Sequence, residues 1–381
     1  MRERKAQTAN DTGAIAREGS PECARARPRT MTGGRAKHNG RVLQILLVTV
    51  PFFALIAAGY AAARGGLLPL AAIPGLNAFV LYFALPCMLF RFGARAPIGQ
   101  LLDGGVALVW CLSALIVVGA TVALSRNGRI DWNDAAFGAL VAAFPNTGFM
   151  GVPLLVAILG APAASTTIIT MAFDMVVTSS LCIALSRLDG ADGHGAAKAL
   201  RQALRGIIQN PMPWSILLGV LASATRFTLP GPIERTVAML AEAASPVALF
   251  TIGAVLARSA MLAREHSASA AVAQALGSAA GRSPQAQASL ADVLPVVAIK
   301  LLVHPLLVWL LARGVTALGL PISGPALVAL VLAAALPSAS NVSMLAERFG
   351  ADNGRIARII LWTTVLAFFS FPLAAALAPS L

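Results

Sequence analysis

Ten long apolar stretches, separated by short polar connections, run along the chain at about 42–63, 73–92, 104–124, 133–159, 164–186, 211–225, 236–258, 291–312, 323–346 and 356–379. Each is near the ~20 residues that a helix needs to cross about 30 Å of hydrocarbon. The stretches at 133–159 and 211–225 fit that length least well. Two connections stand out. Residues 187–210 hold Arg187, Lys198, Arg201 and Arg205, and 259–290 is an Ala/Ser/Gln-rich run that reads as a flexible linker. Residues 1–41 have no apolar periodicity and are rich in Arg, Gly, Ala and Thr, so this segment is expected to be disordered. It lacks the apolar core of a signal peptide. The pattern predicts two blocks of five helices, 42–186 and 211–381, joined by the 187–210 loop.

Composition agrees with lipid as the solvent. The 381 residues are 57% hydrophobic and 12% charged, with a mean hydropathy of +0.77. A soluble domain carries about 25% charged residues. Aromatics are only 6%, which suits packed helices better than a barrel with aromatic girdles. The net charge of +13 does not mark a nucleic-acid binder, because ten of the 29 basic residues lie in 1–41 and the others sit mainly in helix connections. The four cysteines, Cys23, Cys87, Cys111 and Cys182, have neither metal-ligand nor disulfide-framework spacing.

Those connections set an orientation. Thirteen Lys and Arg residues follow odd-numbered stretches and five follow even-numbered ones. The positive-inside rule therefore puts the odd connections in the cytoplasm and both termini outside, in a multi-pass protein of the inner (cell) membrane. The basic segment 1–41 objects to that placement. Arg far outnumbers Lys, as in a GC-rich genome where spurious upstream starts are common. A start further downstream is the favoured reading, with Met31 one candidate.

The halves share a register. Pro51 and Pro211, Gly59 and Gly219, Pro86 and Pro246, Leu89 and Leu249, and Phe90 and Phe250 are each 160 residues apart. Further on, "AFPNTGFMGVP" faces "ALPSASNVSML", aligning Pro145 with Pro337. Five helices per half is odd, so the second half enters the membrane from the opposite side. Inverted repeats of this kind are an architecture of secondary transporters.

The fourth and ninth stretches each carry a mid-span proline followed closely by asparagine: Pro145-Asn146 and Pro337 with Asn341. Proline removes a backbone donor and clashes with the preceding turn. At bilayer depth the freed carbonyls must find protein, water or ligand. Thr147, Ser338, Ser340 and Ser343 flank the breaks. Two such breaks meeting near the midplane would aim the positive ends of half-helices at one anion; ordinary proline kinks are the competing explanation.

Ionisable residues inside spans are expensive and hence functional candidates. Asp174, in the fifth stretch, could carry a coupled proton or hold a cation, or make a structural hydrogen bond. Lys300 and His304, four apart in the eighth, could form a cationic wall for a carboxylate; for Lys300, snorkelling competes. Asn77 in the second stretch could contact substrate, cap a helix or pair between helices. Glu242, Thr363 and Thr364 read as structural. No metal site and no cofactor are expected, apart from a coupling ion, either proton or sodium. No H-E-x-x-H, G-x-S-x-G or P-loop motif occurs, so an enzyme or an ATP-driven pump is not expected.

The strings "GLNAFVLYFALPCMLF" (75–90), "AFPNTGFMGVPLL" (143–155), "NPMPWSILLGVL" (210–221), "SPVALFTIG" (245–253) and "LPSASNVSMLAERFG" (336–350) resemble the auxin efflux carrier family, within the superfamily of bile-acid sodium symporters. The resemblance covers about 42–380. "IKLLVHPLLVW" (299–309) is most similar to bacterial malonate carriers. It implies an all-α membrane protein of ten transmembrane helices in a five-plus-five inverted repeat, with broken helices 4 and 9 crossing. It further implies a scaffold, through which homodimers form, from helices 1, 2, 6 and 7, an elevator-like mobile part, and a substrate site at the crossing (Pro145, Asn146, Pro337, Asn341). The long central loop of the plant carriers is missing, so loop-based regulation does not transfer. The expected function is alternating-access transport of a mono- or dicarboxylate such as malonate. Asn146, Thr147, Ser338, Ser340 and Asn341 would contact it, with Lys300 supplying charge. A carboxylate sensor that kept the fold without transport is the alternative.

Overall fold

The computed structural model describes residues 32–95, 103–126, 130–187, 201, 211–275 and 290–378, and the described residues form helices and no strand. The helices are α1 (Thr32–Arg64), α2 (Leu70–Arg95), α3 (Gly104–Ser125), α4 (Trp132–Ala143), α5 (Thr147–Leu159), α6 (Pro162–Leu185), α7 (Pro211–Thr225), α8 (Gly231–Ala275), α9 (Leu290–Ala317), α10 (Gly324–Ala335), α11 (Asn341–Arg348) and α12 (Asn353–Leu377). Among the described residues, seven helices are long and apolar enough to cross a membrane, while α5, α7 and α10 are apolar but shorter. The expected fourth stretch is split into α4 and α5, and the ninth into α10 and α11.

Local sequence starts and stops these elements. Side chains of Asp103, Asp131, Ser323 and Asp352 accept hydrogen bonds from the first turns of α3, α4, α10 and α12. Each thereby satisfies a backbone donor that the helix leaves orphaned. Gly160, at φ 87°, ends α5, and Pro162 opens α6.

Two boundaries differ from expectation. The segment expected as flexible from 259 is helical to Ala275, because it is dense in Ala with Leu, Arg, Glu and Gln, all strong helix formers. Likewise α1 begins at Thr32, inside the segment expected to be disordered, as helix propagates back from its apolar body. Residues 1–31, 188–200, 202–210 and 276–289 lie outside the described residues, so the rest of those expectations finds no counterpart.

The register of 160 reappears in space. α1 packs along α8 and α2 along α7. A Cβ on Gly59 would fall on the Phe250 carbonyl, and one on Gly253 on the Ile56 carbonyl. Across α2 and α7, a Cβ on Gly219 would lie 2.5 Å from the Phe90 carbonyl and one on Gly93 3.0 Å from that of Ile216. Shifting the first two contacts by 160 produces the second two. Without Cβ atoms the helix backbones approach closely, which is how helices associate where lipid removes the hydrophobic drive.

The other helices enclose α4 and α10. Residues 135–143 and 329–335 are all buried. A helix apolar all round belongs in an interior, and small residues let its neighbours close in. At one face, Arg355 (2% exposed) clamps several helix ends. Its guanidinium donates to the backbone carbonyls of Asp134 (2.9 Å) and Asp292 (3.3 Å) and to Ser125 Oγ (3.4 Å). Arg187 Nη2 and Asn133 Nδ2 both donate to the Phe349 carbonyl beside it. Chain ends that follow the third, fifth, seventh and ninth stretches therefore gather on one side.

Gly59→Leu and Gly219→Leu should each lower the thermal unfolding temperature of detergent-purified protein, by overpacking worth about 1–3 kcal/mol. Gly119→Leu, where a Cβ meets nothing within 4 Å, should leave it unchanged. Equal behaviour of all three would refute the close-contact account.

Candidate substrate site

The two breaks pair with each other. Pro145 and Ser338 form an antiparallel bridge, Asn146 N donates to the Pro337 carbonyl at 2.8 Å, and Ala339 N to the Phe144 carbonyl at 3.0 Å. Carbonyls near the ends of the first half-helices also find donors. Ser338 Oγ donates to Val141 O at 2.7 Å, and Lys300 Nζ to Ala334 O at 2.9 Å. Lipid could supply none of these partners. The two half-helix ends are thus satisfied differently, α4 by a neutral hydroxyl and α10 by an ammonium.

Beside the crossing lies a narrow cleft with about 20 Å³ of free room, on the scale of a single water. Its polar side chains are the amides of Asn146 and Asn341. Gly148 and Phe149, from the first turn of α5, and Ala339, just before α11, complete that wall. Met171 and Met175 of α6 form a second wall; Leu85 of α2 and Met212 of α7 close it from a third side. Asn341 Oδ1 and Thr147 Oγ1 are buried without a hydrogen-bond partner, unusual for buried polar atoms. An acceptor and a hydroxyl left open beside a cleft can serve a ligand. The methionines supply adaptable apolar surface.

The residues expected to bind substrate divide into two groups. Asn146, Asn341 and Pro145 line the cleft, and buried Thr147 follows directly on Asn146. Ser338 spends its hydroxyl on Val141, and its amide donates to Thr363 Oγ1 at 3.3 Å. Ser340 precedes α11, and Asn77 sits half-buried near the start of α2; neither lines the cleft. Pro337 contributes its carbonyl to the bridge. Lys300 and His304 are fully buried and also lie outside the lining, because the ammonium turns to Ala334 O and to His304 Nδ1, 3.2 Å away. Asp174, fully buried, accepts from Trp110 Nε1 (3.0 Å) and Thr178 Oγ1 (2.9 Å). Glu242 pairs with Arg91 at 3.7 Å, and Thr364 bonds its own helix at Ile360 O.

Two features escaped the sequence reading. Trp110 holds Asp174, and its ring lies 5.4 Å from that of His304. A tryptophan inside an apolar stretch, whose N–H needs a partner, is the signal that could have found it. The second is a set of π-helical turns at Thr147–Gly151, Asp174–Thr178 and Ile299–Val303. Each of these carries one of the candidate residues, while a fourth among the described residues, Val80–Ala84, carries none; π turns are frequent at functional sites.

A helical, multi-pass membrane protein with a narrow cleft at paired helix breaks fits a transporter. The sequence pattern of the membrane transport protein family matches residues 45–375, and the chain belongs to that family. It is 28% identical over 327 residues to a Rhizobium meliloti protein provisionally named a malonate transporter, covering 85% of this chain and 92% of that one. An uncharacterized transporter of Methanothermobacter thermautotrophicus is 25% identical over 300 residues, covering 78% and 86%. Auxin efflux carrier component 8 of Arabidopsis thaliana is 22% identical over 268 residues, covering 57% and 72%. The resemblance read from the motifs is therefore borne out at the level of family.

Ser338→Ala should strand the Val141 carbonyl and cost about 1–3 kcal/mol, read as a lower unfolding temperature in detergent. Ser340→Ala, whose side chain makes no cap, should be near neutral. No loss in Ser338→Ala would remove the hydroxyl from the account of the crossing.

Proposed function

We propose that the chain is a secondary carrier that moves a small organic carboxylate across the cytoplasmic membrane by alternating access. One observation carries the reading: two proline breaks from different halves of the chain meet, and a cleft with two amides opens at their meeting point. The first residues of α5 and the Asn341 end of α11 border that cleft, so the partial positive charge of two helix N-termini falls on the bound carboxylate. Asn146 and Asn341 would donate their amide hydrogens to it, with Thr147 close by. Lys300 and His304 belong to the site behind the cleft, and Asp174 is the residue that responds to the driving ion.

The paired glycine contacts support a five-plus-five inverted repeat of ten membrane helices. In this arrangement α1, α2, α7 and α8 form a scaffold, which also offers the dimer surface, and the crossing helices form an elevator-like mobile body. The gathering of odd connections at the Arg355 face, with the excess of Lys and Arg in those connections, supports a cytoplasmic location for that face and termini outside. Malonate is the first substrate to try, since it is named for one relative.

Proteoliposomes should accumulate radiolabelled malonate under an imposed proton or sodium gradient. Asn146→Ala and Asn341→Ala should each weaken uptake roughly ten-fold or more, since a hydrogen bond to a charged group contributes about 1.5–3 kcal/mol. Uptake unaffected by both substitutions would remove the crossing as the site.

A further inference from the structure

Behind the cleft, Trp110 from α3, Asp174 and Thr178 from α6, and Lys300 and His304 from α9 meet, each at most 1% exposed. Asp174 Oδ1 has two donors, while Oδ2 is buried with none. Lys300 acts electrostatically on Asp174 yet closes no ion pair with it; the ammonium rests on Ala334 O and His304 Nδ1. Lys300 Nζ and His304 Nδ1 share one hydrogen across 3.2 Å, and the other ring nitrogen is Nε2. That Nε2 is also buried without a partner. The other titratable group that interacts with Asp174 is the Cys182 thiol, on its own helix. From α3 the facing group is Trp110. The acid of α4, Asp134, is turned to the Asp352 amide at the Arg355 face.

A buried carboxylate oxygen without a donor is costly as an anion, and a proton on it removes both the charge and the vacancy for a hydrogen. A sodium ion would need several oxygen ligands. Here the carbonyl at the end of α10 is taken by Lys300, and the other side chains that interact with Asp174 are the Trp110 indole, the Thr178 hydroxyl and the Cys182 thiol. The positive charge of Lys300 repels a second cation. We propose that this cluster is a proton-binding site separate from the substrate cleft, in which Asp174 Oδ2 takes the proton and the Lys300 ammonium holds the place that sodium would need.

The step is an acid–base one. A proton from water bonds to a lone pair of Oδ2, one O–H bond forms, and no bond within the protein breaks. With Asp174 neutral, Lys300 stays on Ala334 O and holds the end of α10. With Asp174 charged, the ammonium is drawn toward the carboxylate and that end loosens. Proton occupancy is thereby tied to the same crossing that lines the cleft. The use of this proton to drive substrate rests on the carrier reading; the site itself does not.

The test is infrared difference spectroscopy of the purified full-length chain between acidic and neutral pH, in potassium chloride and again in sodium chloride. A C=O stretching band of a water-excluded, protonated carboxyl is expected, unchanged by the salt and lost in Asp174→Asn. Trp110→Phe, which removes one donor to Oδ1, should move the band to higher frequency. Asp174→Glu should retain a displaced band, which separates loss of the carboxyl from loss of the fold. A band that survives Asp174→Asn, or one that sodium abolishes in the unsubstituted protein, overturns the proposal. No substrate is present in this measurement, so a chain that shows the band but never accumulates malonate keeps the proton site and loses the carrier reading.

Discussion

Two prolines at bilayer depth open backbone that lipid cannot satisfy, and most of the site follows from how the protein answers that demand. The segments after Pro145 and Pro337 pair with each other through the Asn146–Pro337 and Ala339–Phe144 bonds. The ends of α4 and α10 receive donors from Ser338 and Lys300. The first break is repaired by Pro337, Ser338 and Ala339, and the second by Phe144 and Asn146 together with Lys300, so the two segments hold this geometry jointly. Thr147 Oγ1 and Asn341 Oδ1 remain buried beside the cleft without a hydrogen-bond partner.

Around this crossing the helices do different work. Glycines 59, 93, 219 and 253 bring α1 to α8 and α2 to α7 with backbone against backbone, a rigid contact between residues related by one sequence offset. The helices that hold the breaks are joined instead by polar clamps: Arg355 at one face and the Asp174–Lys300 cluster within. The cleft lies where these two kinds of packing meet, lined by Leu85 and Met212 on one side and the breaks on the other.

Much of this was legible in the sequence because proline and charge are rare in apolar runs and stand out against them. Pro145, Asn146, Pro337, Asn341 and Asp174 could be singled out for that reason, and the 160-residue offset anticipated glycine contacts that pack two helix pairs alike. The direction of the Lys300 side chain was not legible, since its partner, Ala334 O, is a backbone atom exposed only by a break 37 residues further along at Pro337. The π turns left no mark either, because one extra residue per turn changes geometry without changing composition. The low-complexity segment after 259 misled because a composition typical of linkers is also, when alanine dominates, a composition that forms helix.

Under the proposed alternating access, the cleft at the crossing opens in turn to both sides of the membrane. This opening is tested by Ala339→Cys, in a chain whose Cys23, Cys87, Cys111 and Cys182 are replaced by serine, in right-side-out and inverted membrane vesicles treated with a membrane-impermeant maleimide. The account predicts labelling from both faces, slowed at each by the carboxylate that is carried. Labelling from one face only, whatever ligand is present, would contradict alternating access at this site.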